Sequence, residues 1–232
     1  MSARITMRVC LDRNLVLLAV VLVAAPLAAQ GPLEGQDPPA VIGLTIERIK
    51  PGNEERYDAV ERELAGVCKR LGCPNAYLAL ESFTSPKEVY WLTEYRTEAD
   101  AARIAAAYAS NEPLLAELRR GSAAKEALTE PPANLTVRYR SDSSDASPWL
   151  VGILPFAVVV EVDRSTVVGG AVFELPDGSR LAFVPAANAE DTNAIAAALG
   201  PRAKRFAVHA AWSKPASAWI IANPALWPPT DR

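Results

Sequence analysis

The side chains able to do chemistry are few. His209 is the only imidazole in 232 residues, and Cys10, Cys68 and Cys73 are the only thiols. A general base or a metal-bound imidazole needs a partner group within hydrogen-bond reach. His209 instead lies in the apolar run Phe206-Ala-Val-His-Ala-Ala-Trp212 at an alternating strand position, which predicts a structural or surface histidine. One His and three Cys are too few for a zinc cluster. No Gly-x-Ser-x-Gly elbow supports a serine hydrolase. Gly169-Gly170 has neither a following helix pattern nor a nearby Lys, so it reads as a turn and not as a phosphate loop. The sequence therefore assigns no catalytic residue, no metal and no cofactor.

What remains is carboxylates and aromatic rings. Glu81 and Glu94 fall on neighbouring predicted strands and could face each other as a carboxylate pair, but solvated strand-face charges are the expectation. Tyr77, Tyr90, Trp91, Tyr95 and Tyr108 form an aromatic group. Aromatics are favoured strand residues, and packing in a core or interface is their ordinary role. Trp91 and Tyr95 share one strand face and Tyr90 points the other way. Trp91, Tyr95 and Tyr108 are the candidate walls of a ligand pocket. Asn134-Leu-Thr136 matches the N-glycosylation pattern, which would carry no meaning if the chain were bacterial.

The N-terminus reads as an address. Arg4, Arg8 and Arg13 precede an unbroken apolar run, Leu15–Ala25, which Pro26 and the small residues Ala28 and Ala29 follow. That is the order of a secretory signal peptide. The run is short for a bilayer-spanning helix, which needs about 20 apolar residues, so no stable membrane anchor is expected after residues 1–29 are removed. Loss of this segment takes Cys10, three Arg and Asp12 with it, moving the net charge from −3 to −5. A periplasmic or secreted location follows as the expectation. An acidic chain with no basic tract has no electrostatic footprint for nucleic acid.

Behind the signal the chain falls into parts. Residues 30–40 read as a flexible N-terminus rich in Pro and Gly. Val41–Ile49 alternates as a half-buried strand, with Ile42, Leu44 and Ile46 on one side and Thr45 and Glu47 on the other. Asn53 is placed to cap a helix, with Glu54 and Glu55 in its first turn, Lys69 and Arg70 in its last, and Gly72 at its end. Ala76–Phe83 and Glu88–Tyr95 read as a hairpin. Thr97 and Asp100 resemble a capping box for an Ala-rich helix with the thin stripe Ala101, Ile104, Ala105 and Tyr108. A further helical stretch runs to Arg120-Gly121, and Leu135–Tyr139 is a last strand. The order β-α-β-β-α-β over 41–140 is ferredoxin-like. Residues 141–148 form a polar linker. Residues 149–232 then predict a strand-rich α+β second domain with a hairpin at Asp177-Gly178, one helix ending at Gly200-Pro201, and strands at 206–212 and 218–221. No residue-level repeat of the first half is evident.

On its element order, on Pro51-Gly52-Asn53-Glu54 ahead of the first helix, and on Trp91-Leu-Thr-Glu-Tyr95 leading through Thr97 into the second, the stretch 41–140 resembles the antibiotic-biosynthesis-monooxygenase-like dimeric α+β barrels. The resemblance implies a ferredoxin-like fold, a homodimer paired through its sheets, and a pocket between sheet and helices; the alternative to the dimer is that the strand-rich second half covers that sheet face within one chain. It also implies cofactor-free oxidation of an aromatic substrate or haem handling in some members. Haem-handling relatives commonly carry a His on the second helix, and 99–110 contains none.

The functional expectation is an exported protein that binds a small apolar or aromatic ligand, or a partner, on a dimeric α+β barrel. The alternatives are a cofactor-independent monooxygenase acting on an aromatic substrate and a structural module of the cell envelope. An oxidising compartment and exactly two cysteines in the exported chain predict a Cys68–Cys73 disulfide across the Gly72 helix end. Intact-mass and N-terminal analysis of protein exported by a bacterial host should show a chain beginning at Gln30 or Pro32. A chain that retains Met1 would remove the export reading.

Overall fold

The computed structural model describes residues 36–145, 148–163 and 169–228. The expected signal peptide with Cys10, residues 30–35 of the flexible N-terminus and residues 146–147 of the linker lie outside the described residues. The elements in chain order are β1 (Val41–Arg48), α1 (Glu54–Leu71), β2 (Leu78–Ser82), β3 (Glu88–Tyr95), α2 (Glu98–Ala109), α3 (Glu112–Glu126) and β4 (Ala133–Tyr139). After the linker come β5 (Phe156–Val162), β6 (Ala171–Glu174), β7 (Arg180–Ala186), α4 (Ala189–Leu199), β8 (Lys204–Val208) and α5 (Ser217–Ala222).

Local chemistry sets most of these boundaries. Gly72 ends α1 in the left-handed conformation at φ 74°, a geometry that glycine adopts without steric cost. Thr97 caps α2 by accepting from the Asp100 amide at 3.1 Å, and Asn188 caps α4 by accepting from Asp191 at 2.8 Å. Asn53 departs from its expected role: its side chain makes no cap bond and accepts instead from Arg56 at 3.3 Å. Helix α3 runs past Arg120-Gly121. Gly121 is needed inside it because a Cβ there would lie 2.3 Å from Leu64 Cδ2 on α1. The strand expected at 218–221 is instead the helix α5, which buries Trp219 and leaves Ile221 81% exposed.

All eight strands form one closed antiparallel barrel in the order β1-β3-β2-β8-β5-β7-β6-β4. The first half supplies β4-β1-β3-β2, the ferredoxin-like order, and the second half supplies β8-β5-β7-β6 in the same relative order. The halves thus repeat in topology without repeating in residues. The β5–β6 connection covers only 163–170, too short for a counterpart of the 18-residue α1. The halves join where Leu80 pairs with Val208 and Ser82 with Phe206, and where Tyr139 pairs with Phe173. This corrects the expectation that the first sheet pairs across a homodimer. Its two edges are taken by strands of the same chain, because the second half presents matching edges at far higher effective concentration.

The barrel interior is the main core. Ile42, Leu44, Leu78, Leu80 and Leu92 meet Val159, Phe173, Phe183 and Phe206 there. The C-terminal segment adds Trp219 and Trp227 to this core. Trp227 donates to the Gly152 carbonyl at 2.7 Å, and Asn223 donates to that of Ile153 at 2.8 Å. Gly152 has φ 88°, and a Cβ on it would meet the Trp219 ring at 3.0 Å.

Charge also ties the halves. Glu88, 5% exposed, is bound by Arg48 of β1 at 2.9 Å and by Lys204 of β8 at 2.7 Å. Burial opposes its ionisation, but the hydrogen bonds and charges of Lys204 and Arg48 outweigh that and hold it below the usual carboxylate range. Residues 36–145 expressed alone should expose the inner row of Ile42, Leu44, Leu78, Leu80 and Leu92 together with two free sheet edges. The expected outcome is self-association or aggregation with strong dye binding, read by size-exclusion chromatography. A stable monomeric fragment would show that the first half folds without its partner.

Candidate functional site

The outer face of β3 and the inner face of α2 border an open cavity of about 320 Å³. Strand alternation puts Trp91, Thr93 and Tyr95 on the outer face. Their neighbours Tyr90 and Leu92 point into the barrel, where the Tyr90 ring lies 4.6 Å from that of Phe206. Helix α2 contributes Ala101, Ile104, Ala105 and Tyr108, one stripe at helical spacing. Asn75 and Tyr77, just ahead of β2, complete the wall. The void has a simple cause: alanine side chains are too short to reach the sheet. None of the residues of α2 is buried, whereas α1 buries Tyr57, Glu61, Val67 and Cys68.

The wall is aromatic and neutral. Tyr108 donates to Asn75 Oδ1 at 2.8 Å, and Asn75 Nδ2 donates to the Ala76 carbonyl at 2.9 Å. The Tyr95 ring lies across Gly43 of β1, where a Cβ would be 3.2 Å from Tyr95 Cε2. Burial, and then the nearby Tyr95, push the Tyr108 phenol up to about 12. Burial also raises Tyr77 and Tyr95. These hydroxyls are therefore protonated near neutral pH and can donate as well as accept. No residue of the wall is charged.

Trp91 couples the cavity to a buried ionic cluster behind it. Its indole N–H donates to Glu47 Oε2 at 3.0 Å. Glu47 also accepts from the Tyr57 hydroxyl and from Lys125 at 2.7 Å, and Lys125 pairs with Glu61 at 2.7 Å. Burial raises Glu61, with Lys125 opposing. Burial would lower Lys125, but Glu61 and Glu47 overcome it and keep it protonated. The sequence pattern placed Glu47 on a polar strand face. In the fold α1 and α3 cover that face, and the ion pair to Lys125 joins residues 78 apart. No local spacing signals such a pair.

The sequence candidates Trp91, Tyr95 and Tyr108 thus meet in one cavity, joined by Tyr77 and by Asn75, Thr93 and Ile104, which aromatic counting did not single out. His209 is elsewhere: it stacks on Trp212 with ring centroids 3.5 Å apart, and burial lowers its pKa. Trp212 donates to Asp58 at 2.9 Å. Cys68 and Cys73 lie with their sulfurs 2.02 Å and their Cα atoms 4.7 Å apart. Among the described residues no group of His, Cys, Asp and Glu could hold a metal ion.

Glu81 and Glu94 do not pair. Glu81 lies on the outer side of β2 within 3.4 Å of Lys87. Glu94 opposes Ile42 on the barrel's inner side and accepts from the Trp149 indole at 2.7 Å. Although its side chain retains some exposure at the barrel rim, burial pushes its pKa up to about 7, with the Trp149 bond opposing. Between the ordinary Glu value and about 7 the folded chain binds more protons than the unfolded one, so this group makes stability fall as pH rises. Glu94→Gln should leave melting at pH 5 nearly unchanged and raise the Tm at pH 8. Equal melting shifts at both pH values would contradict the assignment.

No protein-family profile matches the sequence, and no curated protein matches it. Among solved structures the chain is similar to a protein of Fusobacterium nucleatum subsp. nucleatum described as a candidate monooxygenase, at 10% identity and TM-score 0.43, covering 74% of this chain and 92% of that one. It is similar to a chain described as a candidate chlorite dismutase, at 8% identity and TM-score 0.40, covering 78% and 98%. It is also similar to a mutant chlorite dismutase from Candidatus Nitrospira defluvii in complex with cyanide, at 9% identity and TM-score 0.38, covering 81% and 95%. At these identities and scores the likeness assigns no activity to the chain.

Proposed function

We propose that this chain is an exported protein that binds a small, uncharged, aromatic ligand in the cavity between β3 and α2. The observation that carries the reading is the cavity wall itself. Trp91, Tyr77, Tyr95 and Tyr108 offer ring faces, Asn75 and the phenols offer hydrogen bonds, and no charge is present to hold an anion or cation. Apolar pockets with a few placed polar groups are the usual form of small-molecule sites. A volume of about 320 Å³ suits a molecule of one or two rings. A space filled by side chains would instead favour the structural envelope module. Export is supported by the order of charged, apolar and small residues at the N-terminus. A homodimer of this chain would meet through the barrel's outer surface, since the closed sheet leaves no free edge.

Titration with 2-naphthol, followed by quenching of tryptophan fluorescence, tests the reading. The expected affinity is a Kd of about 100 μM for so small a ligand. Ala105→Trp, which places an indole in the cavity from the exposed helix α2, should weaken binding at least about tenfold with an unchanged circular dichroism spectrum. Equal binding by the two proteins would place the ligand elsewhere and overturn the assignment. Oxygen-dependent consumption of the bound naphthol would instead establish cofactor-independent oxygenation in the same cavity.

A further inference from the structure

Helix α2 flanks the cavity, and none of its residues is fully buried. At its N-terminal end it is held by the Thr97 cap and by an Arg138–Glu98 pair at 2.7 Å, both of whose side chains are more than half exposed. Exposed pairs of this kind contribute little. At its C-terminal end the attachment is of another kind. Tyr108 donates to Asn75 at 2.8 Å, and Asn111, just past the helix, donates to the Leu71 carbonyl at 3.0 Å. Tyr108 and Tyr77 also pack against a small buried cluster of Val67, Cys68, Cys73 and Leu114. The Asn111 bond is made to the end of α1, the Tyr108 bond to Asn75, two residues beyond the loop that Cys68 and Cys73 close, and the buried cluster adds Leu114 of α3.

We propose that the Cys68–Cys73 bridge is the clamp that forms the cavity, and that α2 is a lid hung from it through the Tyr108–Asn75 bond. Ligand capture is then conditional on the bridge being oxidised; this last clause rests on the ligand-binding reading above. The physical basis is the placement of the loop. The bridge pins Cys73 under the last turn of α1, where the Cys73 amide donates to the Cys68 carbonyl at 3.0 Å. Asn75 follows two residues later. Tyr77 has an independent tether, since its backbone exchanges two hydrogen bonds with Lys214 at 2.9 and 3.0 Å. The Cys73 carbonyl also accepts from Lys214 Nζ, so opening the bridge leaves Tyr77 and that carbonyl tethered and frees the Cys73 side chain and the stretch 74–76 that carries Asn75. Asn75 shifts, and with it Tyr108, the lid's principal polar anchor. A dithiol opens the bridge by exchange: its two thiols supply two electrons and two protons, leaving Cys68 and Cys73 as thiols and the reductant as a cyclic disulfide.

Hydrogen exchange with mass spectrometry on the mature protein separates the possibilities. In dithiothreitol-reduced protein, and in Cys68→Ser/Cys73→Ser, amides of α2 should exchange at least about tenfold faster while the barrel strands keep their protection. Asn75→Ala, which leaves the bridge intact, should produce the same acceleration confined to α2, and reduced wild-type protein decides the role of the bridge where the double variant does not fold. The affinity for 2-naphthol should fall in parallel, at least about tenfold. Unchanged exchange of α2 in reduced protein, or in Asn75→Ala, overturns the clamp. So does a uniform rise across the barrel, which would make the bridge a general stabiliser only. If oxidised wild-type protein fails to bind naphthol, the ligand reading falls while the exchange comparison still decides the clamp.

Discussion

The pairing of β2 with β8 and of β4 with β6 is the constraint on which the rest of this molecule depends. A four-stranded sheet covered by helices on one face leaves its other face and both edges in water, and such edges invite association. Here one chain carries two sheets of the same strand order, and each consumes the edges of the other. Closure turns an alternating pattern of half-buried strands into a sealed core, with Leu78, Leu80, Phe173, Phe183 and Phe206 each 0% exposed. It also fills the interior with side chains, so the space left for a ligand lies outside the barrel, between strands and helices.

On that outer side the three helices of the first half behave differently. Helices α1 and α3 approach closely because Gly121 admits Leu64, and α1 packs Tyr57 and Val60 against Ala79, Val89 and Trp91 of the sheet. Helix α2 offers alanines where its neighbours offer Leu, Val and Tyr. Burying an alanine gains little apolar area, so nothing draws α2 tightly onto Trp91 and Tyr95. The cavity and the exposure of the lid share one cause, the choice of small residues at 101 and 105.

Behind the cavity, the Glu47–Lys125–Glu61 cluster shows the opposite economy. Two carboxylates and an ammonium are buried together, which is tolerated only when the geometry satisfies them and is costly when one partner is removed. Lys125 also lies 5.6 Å from the ring centroids of both Tyr57 and Trp91. The cluster holds the indole of Trp91 from behind through the Glu47 bond, and so positions the cavity floor.

The sequence by itself determined most of the local structure of the first half. The first helix with its Gly72 end, the β3 alternation that puts Trp91 and Tyr95 together and Tyr90 opposite, the Thr97 cap and the thin stripe of α2 are all readable, because they depend on neighbours a few residues apart. That Trp91 and Tyr95 share a face and that Tyr108 lies on the α2 stripe were legible for the same reason; that they line one cavity was decided by the fold. Only the tertiary structure decided that the two halves share one sheet, that Glu47 is buried and paired across 78 residues, and that Glu94 points inward to Trp149. It likewise decided that 218–221 is helical. Each of these turns on which surface covers a given strand or helix face. Period-two or helical spacing reveals that a face is apolar or polar, but the element that covers it comes from the distant chain, and closure of the barrel is what brings it there.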